Sequence, residues 1–167
     1  MLHKVRELKK EASARGAAGF TIIEVMIVLA IAGLIMAIVF VAIPQLQRNT
    51  RNTTRRDVIG RVKTELDNYA TNNNGKYPTA NNNTQTGFAA GGGFPTRYLS
   101  NVSYNDPSTG ASMVLAAWTS DAALVQGTLS YATGRTCNDE ASQAANARNY
   151  ILMTKLEGGA IYCVDNV

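Results

Sequence analysis

The feature that most constrains this chain is a long apolar segment near its N-terminus, FTIIEVMIVLAIAGLIMAIVFVAI, which covers residues 20–43. As a helix, its 24 residues would span about 36 Å, compared with about 30 Å for the hydrocarbon core of a bilayer. A buried core helix is the alternative. A segment this long that is apolar on every side favours a membrane span, and it argues against an ordinary soluble globule.

The helical pattern continues beyond Pro44 but becomes one-sided. Val58, Val62, Leu66 and the pair Tyr69/Ala70 recur at spacings that place them on one face of a helix. The basic residues Arg51, Arg55, Arg56, Arg61 and Lys63 mostly fall on the other faces. The sequence therefore predicts one helix over residues 20–74 that is apolar on all sides in 20–43 and amphipathic in 44–74.

The remainder of the chain predicts a small sheet. Residues 75–111 are rich in Gly, Asn, Thr and Pro and indicate an irregular connection with a short helix near 95–99, or simple disorder. Short apolar runs follow at 113–118, 128–133, 150–156 and 160–164, with a turn at 140–147. The predicted fold class is α+β: a long N-terminal helix packed on an antiparallel sheet of three or four strands in 112–167.

The residue inventory argues against several kinds of catalytic site. The one histidine is His3, and there are two cysteines, too few for a Cys-rich zinc site. Neither a phosphate-binding P-loop nor a dinucleotide fingerprint is present. We therefore expect a non-enzymatic protein with no cofactor and no bound metal.

The junction between the basic N-terminus and the apolar segment has an unusual order. A secretory signal peptide places its apolar region before the small-residue cleavage site, whereas here the small residues come first and end at Gly19. Glu24 then lies five residues into the predicted span, where a charge costs a few kcal/mol unless it is paired or close to the head groups. The motif is Gly19-Phe20-Thr21-Ile22-Ile23-Glu24.

This motif resembles that of type IV pilin and pseudopilin precursors, and the resemblance extends over residues 10–78. It implies that residues 1–19 are a cytoplasmic leader, which a prepilin peptidase removes after Gly19. Phe20 would become an N-methylated N-terminus, and Glu24 would pair with the Phe20 amine of a neighbouring subunit. It also implies an orientation that charge counting leaves open: leader inside, C-terminal domain outside.

One departure from the pilin pattern concerns the helix-weakening proline. Many pilins carry it slightly earlier, where this chain has Val41. We assign that role to Pro44, with Gly33 as the second weak point. Our hypothesis is that the helix loosens between Gly33 and Pro44 on assembly, and a filament map with continuous helix there would refute it.

The two cysteines, Cys137 and Cys163, lie in the domain that the resemblance places outside the cell. Such compartments are oxidising, which favours a disulfide over two buried free thiols. In pilins, the region bounded by such a disulfide is often exposed, which implies that residues 138–149 contact partners. Residues 138–140 carry oxygen ligands of the kind that bind calcium, but the EF-hand pattern is absent, and the sequence favours a solvated loop.

The resulting interpretation is a structural subunit of a type IV pilus that serves adhesion, twitching motility or DNA uptake. Its expected partners are the prepilin peptidase, further copies of the chain, minor pilins, the assembly platform, the membrane and, as open candidates, a surface receptor or DNA. A pseudopilin of a type II secretion or competence system is the nearest alternative, and a single-span anchored binding domain or enzyme is more distant. The basic face at 48–63 is interpreted as solvated, or as paired with acidic domains of neighbouring subunits, in preference to binding DNA or lipid. Trp118 and the tyrosines are assigned to the core.

Overall fold

The computed structural model of this protein describes residues 19–80, 87–88 and 93–167. The predicted leader up to residue 18 and two stretches of the predicted connection, 81–86 and 89–92, lie outside the described residues. The chain divides into two compact units, Met1–Pro44 and Gln45–Val167, which are described separately below.

The predicted long helix is present as α1, Ile22–Asn72. Thr21 caps its start, since the Thr21 hydroxyl oxygen accepts a hydrogen bond of 3.3 Å from the Glu24 N–H, as in a capping box. The helix is continuous through both Gly33 and Pro44. The loosening hypothesis concerns the assembled filament, so it stays a prediction.

In the first unit, the helix is exposed on every side. All of its residues up to Pro44 are exposed, including large aliphatic side chains such as Val41, which is 79% exposed. Among the described helices, α1 is the one that is long and apolar enough to cross a bilayer. The helix therefore presents a continuous apolar surface that requires lipid or another protein to cover it.

The end of α1 is set by an Asn-Gly pair. Asn74 and Gly75 adopt positive φ values of 56° and 74°, a left-handed conformation that glycine adopts at no steric cost. The Gly75 N–H donates to the Ala70 carbonyl at 2.8 Å. This closes the helix about two residues before the end that the sequence predicts.

The second unit contains the predicted sheet and confirms the α+β class. A four-stranded sheet has the order β1-β2-β5-β6, and β3 and β4 form a separate hairpin. A short helix, α2, precedes them near the predicted position. The elements are α2 (Gly93–Tyr98), β1 (Val114–Ala117), β2 (Thr128–Thr133), β3 (Arg135–Asn138), β4 (Ala141–Ala144), β5 (Tyr150–Lys155) and β6 (Ile161–Asp165).

Two details of the sheet differ from the sequence prediction. β1 and β2 pair in parallel, because the connection between them folds through a short 3₁₀ helix, Asp121–Ala123, and returns the chain in the same direction. The predicted turn at 140–147 is instead strand β4 of a hairpin that turns at Asp139, which has a φ of 53°. Contacts from elsewhere in the chain fix this hairpin, since Ser142 donates backbone and side-chain hydrogen bonds to Asp121.

Apolar residues are buried on both faces of the four-stranded sheet. The stripe of α1 packs into the larger cluster, with Val58, Val62 and Leu66 at most 1% exposed. Aromatic rings fill that cluster, and Phe88 stacks on Tyr131 at a centroid distance of 4.5 Å. The tyrosines all lie in or against this cluster, as predicted: Tyr69, Tyr77, Tyr98, Tyr104, Tyr131, Tyr150 and Tyr162. Trp118 packs against a second, smaller cluster.

Candidate functional site

The predicted processing site lies at the very start of α1 and is open to solvent. Phe20 is 84% exposed, and Gly19 and Glu24 are also exposed. Phe20 and Glu24 line the same shallow, mostly apolar depression together with Val25 and Val28. The structure therefore brings the residue that would become the new N-terminus close to the one carboxylate of the apolar segment.

Glu24 has no cationic partner among the residues that the structure describes. The contact of its carboxylate is with the Thr21 hydroxyl, at 3.5 Å. A carboxylate on an apolar helix costs free energy when lipid or protein covers that helix, unless a positive charge meets it. When lipid or protein covers this helix, the Glu24 carboxylate therefore requires a positive charge from outside the described residues.

A second polar site lies on the amphipathic half of α1 and is buried. Arg55 is 0% exposed. Its Nε and Nη2 donate to the two carboxylate oxygens of Asp106, at 2.8 and 3.1 Å. This two-pronged geometry is the strongest form of the arginine–carboxylate hydrogen bond.

Glu157, in the turn between β5 and β6, completes this site. Arg51 donates to both of its carboxylate oxygens at 2.6 and 2.7 Å, and Arg55 Nη1 donates at 3.2 Å. The Asn52 side-chain amide bonds to the Glu157 carbonyl at 3.1 Å and accepts from its N–H at 2.8 Å. We call Arg51, Asn52, Arg55, Asp106 and Glu157 the Arg55 cluster.

The Arg55 cluster corrects the interpretation of the basic face. The sequence predicts that Arg51, Arg55 and Lys63 are solvated or pair with neighbouring subunits, but each bonds within its own chain. The Lys63 Nζ donates to the Asp165 carbonyl at 2.6 Å. The signal that was missed is spacing, because Arg55 precedes Ile59 by one helical turn and so begins the buried stripe. Arg48 and Arg61 are exposed.

The arginines lower the pKa of both carboxyl groups in the cluster. Burial alone would raise the pKa of Asp106, but hydrogen bonds from Arg55 and Ser108 outweigh that effect and bring it to about 2. The pKa of Glu157 is lowered mainly by its hydrogen bond from Arg51, against burial and with help from Arg55. Both groups therefore stabilise the fold as carboxylates.

This predicts a loss of stability in acid. The folded-state pKa of Asp106, about 2, lies below the ordinary value of 3.8, so its contribution is complete above about pH 5 and is lost as the pH falls towards 2. We expect the loss to be about 2 kcal/mol of unfolding free energy. Urea unfolding of the full-length chain in detergent at several pH values measures it. In Asp106→Asn, the unfolding free energy should fall less steeply as the pH is lowered. An equally steep fall in that variant would contradict the assignment of this pH dependence to Asp106.

Cys137 and Cys163 form a disulfide, with Cα atoms 5.8 Å apart and a sequence separation of 26 residues. It joins the β3–β4 hairpin to β6. The Asp165 carboxylate also accepts hydrogen bonds from the Thr136 hydroxyl and the Cys137 N–H. Asp139 and Glu140, at the hairpin turn, are exposed. No group of metal-binding side chains is found among the described residues.

Reduction of this disulfide should lower stability without unfolding the unit. The chain-entropy model assigns about 3.5 kcal/mol to a loop of this length. The Asp165 and Ser142 contacts keep the hairpin in place when the bond is broken. Urea unfolding of the Cys137→Ala/Cys163→Ala variant measures the change, and a midpoint equal to that of the parent would contradict the prediction.

Comparison with known proteins identifies one feature of the chain. Residues 14–40 match the model of the prokaryotic N-terminal methylation motif, the signature of type IV pilin and pseudopilin precursors. This confirms the resemblance predicted from Gly19–Glu24, and the motif points to a structural subunit rather than an enzyme. No curated protein and no solved structure matches the chain. The motif and the apolar helix fit membrane anchoring of a precursor.

Proposed function

We propose that this chain, which carries the prepilin signature, is a structural subunit of a type IV pilus, cleaved after Gly19 and assembled through α1. The observation that carries the proposal is the methylation motif at residues 14–40, placed directly at the start of a helix whose apolar surface is exposed on every side. In the membrane, lipid would cover this surface. In a filament, the helices of other copies would cover it, with apolar burial as the main driving force.

The charge on Glu24 supports assembly in a defined register. Cleavage after Gly19 would create an ammonium group on Phe20, next to a carboxylate that has no cationic partner in the described chain. Both charges are costly in an apolar filament core, and pairing across neighbouring subunits removes both costs in one axial register. The mature N-terminus, N-methylated at Phe20, and Glu24 thus form the assembly contact.

The proposal includes an orientation and a set of partners. The leader faces the cytoplasm, where a membrane prepilin peptidase cleaves it, and residues 45–167 lie outside the cell. The precursor is stored in the cytoplasmic membrane until the assembly platform adds it to a filament with further copies and minor pilins. The filament serves adhesion, twitching motility or DNA uptake.

A pseudopilin of a type II secretion or competence system is the second candidate, because it would carry the same methylation motif. The disulfide between Cys137 and Cys163 favours a pilus subunit, since the loop that it closes suits an exposed contact region at 138–149. The absence of an EF-hand calcium pattern from the sequence also favours the pilin over the pseudopilin. A single-span anchored binding domain would not account for a carboxylate, Glu24, in the apolar segment, because it forms no filament contact.

The deciding experiment is the intact mass and N-terminal sequence of the protein from native cells. We expect a chain that starts at Phe20 and carries one additional methyl group. The same protein from cells that lack the prepilin peptidase should retain residues 1–19 and serves as the control. A chain that keeps its leader in cells with an active peptidase would overturn the proposal.

A further inference from the structure

We propose that the Arg55 cluster is a mechanical anchor, which holds α1 in axial register on the sheet when the chain is pulled along its helix. The biological meaning rests on the proposed function, because a filament subunit carries tension through its N-terminal helix. The physical property itself belongs to the single chain.

The aliphatic row Val58, Val62 and Leu66 of α1 defines the axial position of the helix less sharply than directional contacts do. These residues follow one another at four-residue spacing, so a shift by four residues, about 6 Å, replaces one aliphatic side chain by another in this row. The same shift towards the N-terminus would bring Lys63 to the buried position of Ile59, so the stripe as a whole also opposes sliding. Apolar burial itself is non-directional and scales with area, and the aliphatic row therefore favours one axial position only weakly.

The Arg55 cluster, in contrast, depends on exact alignment. Arg55 donates to both carboxylate oxygens of Asp106, and the Asn52 side-chain amide bonds to both the main-chain N–H and the carbonyl of Glu157. Hydrogen bonds weaken steeply beyond about 3.5 Å or at poor angles. A slip of one turn would break all of them together and leave Asp106, which is 2% exposed, with a buried charge and no arginine.

The position of the cluster along the chain matches this role. Residues 45–50 are all exposed, and the Thr50 hydroxyl bonds to the Leu46 carbonyl of its own helix. Arg51, Asn52 and Arg55 are thus the first side chains of the 45–167 unit that bond to the strands or loops, within the described residues. Tension applied along α1 reaches these side chains before it reaches Val58. Their acceptors lie on two separate segments, the loop that contains Asp106 and the turn between β5 and β6, so both segments bear the force.

The test compares force resistance with equilibrium stability in the full-length precursor, purified in detergent and held between terminal handles in an optical trap. The variant Arg55→Met/Asp106→Leu replaces the buried ion pair by apolar groups, an exchange that is often neutral for stability. We expect its urea midpoint to stay near that of the parent, while its folded lifetime at constant force falls roughly tenfold or more. Arg61→Met, an exposed arginine on the same helix, is the matched control and should change neither.

Two results would overturn the inference: equal lifetimes of the double variant and the parent at the same force, or a shorter lifetime fully accounted for by an equal loss of equilibrium stability. If the double variant does not fold, Glu157→Gln is judged by the same two criteria, because it removes the charge shared by Arg51 and Arg55. The measurement uses single molecules and needs no filament. An absence of pili on the native cells would therefore contradict the proposed function, but it would not contradict the mechanical role of the Arg55 cluster.

Discussion

Replacing Glu24 by Val should abolish filaments on the cell surface while leaving the precursor in the membrane. Val makes the helix more apolar, so membrane insertion does not suffer. The variant loses the carboxylate that would meet the Phe20 ammonium of the neighbouring subunit, and each added subunit then buries an unpaired charge. That penalty recurs at every subunit, so we expect loss of assembly rather than a modest reduction.

The measurement is electron microscopy of filaments sheared from cells, combined with an immunoblot of the membrane fraction to show equal amounts of precursor. Glu24→Gln, which keeps the size and removes the charge, should behave like Glu24→Val. Glu65→Val is the matched control, because Glu65 is a partly exposed glutamate of the same helix and lies outside both the basic face at 48–63 and the loop at 138–149. A normal number of filaments on cells that express Glu24→Val would contradict the assembly contact proposed for Glu24.

Replacing Arg55 by Met should destabilise the 45–167 unit by about 3–5 kcal/mol, the usual cost of removing one partner from a buried ion pair. Met replaces the aliphatic part of the arginine side chain but not its guanidinium group, so the lost ion pair and hydrogen bonds account for most of the effect. Asp106 would remain buried with its charge uncompensated, and Glu157 would lose one of its two arginines. The loss is a large part of the stability of a small domain.

Urea unfolding followed by the fluorescence of Trp118, the single tryptophan, measures this loss in the full-length chain in detergent. Arg61→Met is again the control and should stay within about 0.5 kcal/mol of the parent. Adding Asp106→Leu to Arg55→Met should restore most of the stability, because no charge is then left buried. An Arg55→Met variant as stable as the control would show that the Arg55–Asp106 pair contributes little.

Much of this fold follows from periodicity in the sequence. The aliphatic residues Val58, Val62 and Leu66 predict the buried face of α1, and Asn74-Gly75 predicts its end. The strand runs predict the positions of the four sheet strands closely, since each run is short, apolar and bounded by turn residues. The methylation motif was recognisable because cleavage, methylation and assembly all act on a few adjacent residues.

What the sequence did not reveal depends on contacts between distant segments. The spacing of Arg55 from Ile59 indicates a buried position, but the acceptors Asp106 and Glu157 are 51 and 102 residues further along the chain, and no local pattern identifies them. The parallel pairing of β1 and β2 depends on the path of their connection, which carries no strong hydrophobic period. Likewise, β4 is a strand because Asp121 and the disulfide hold its hairpin, although its own sequence is mostly polar.

The Arg55 cluster also determines when, during synthesis, the 45–167 unit can finish folding. Glu157 is made 102 residues after Arg55, which at typical translation rates is roughly 5–20 s later. During that interval, the apolar stripe of α1 has no sheet to cover it and Arg55 has no acceptor at position 157, so the nascent chain is most exposed to proteases and aggregation after its helix has formed. A message truncated between the codons for Asn72 and Glu157 would yield a chain that contains all of α1 but never completes the Arg55 cluster.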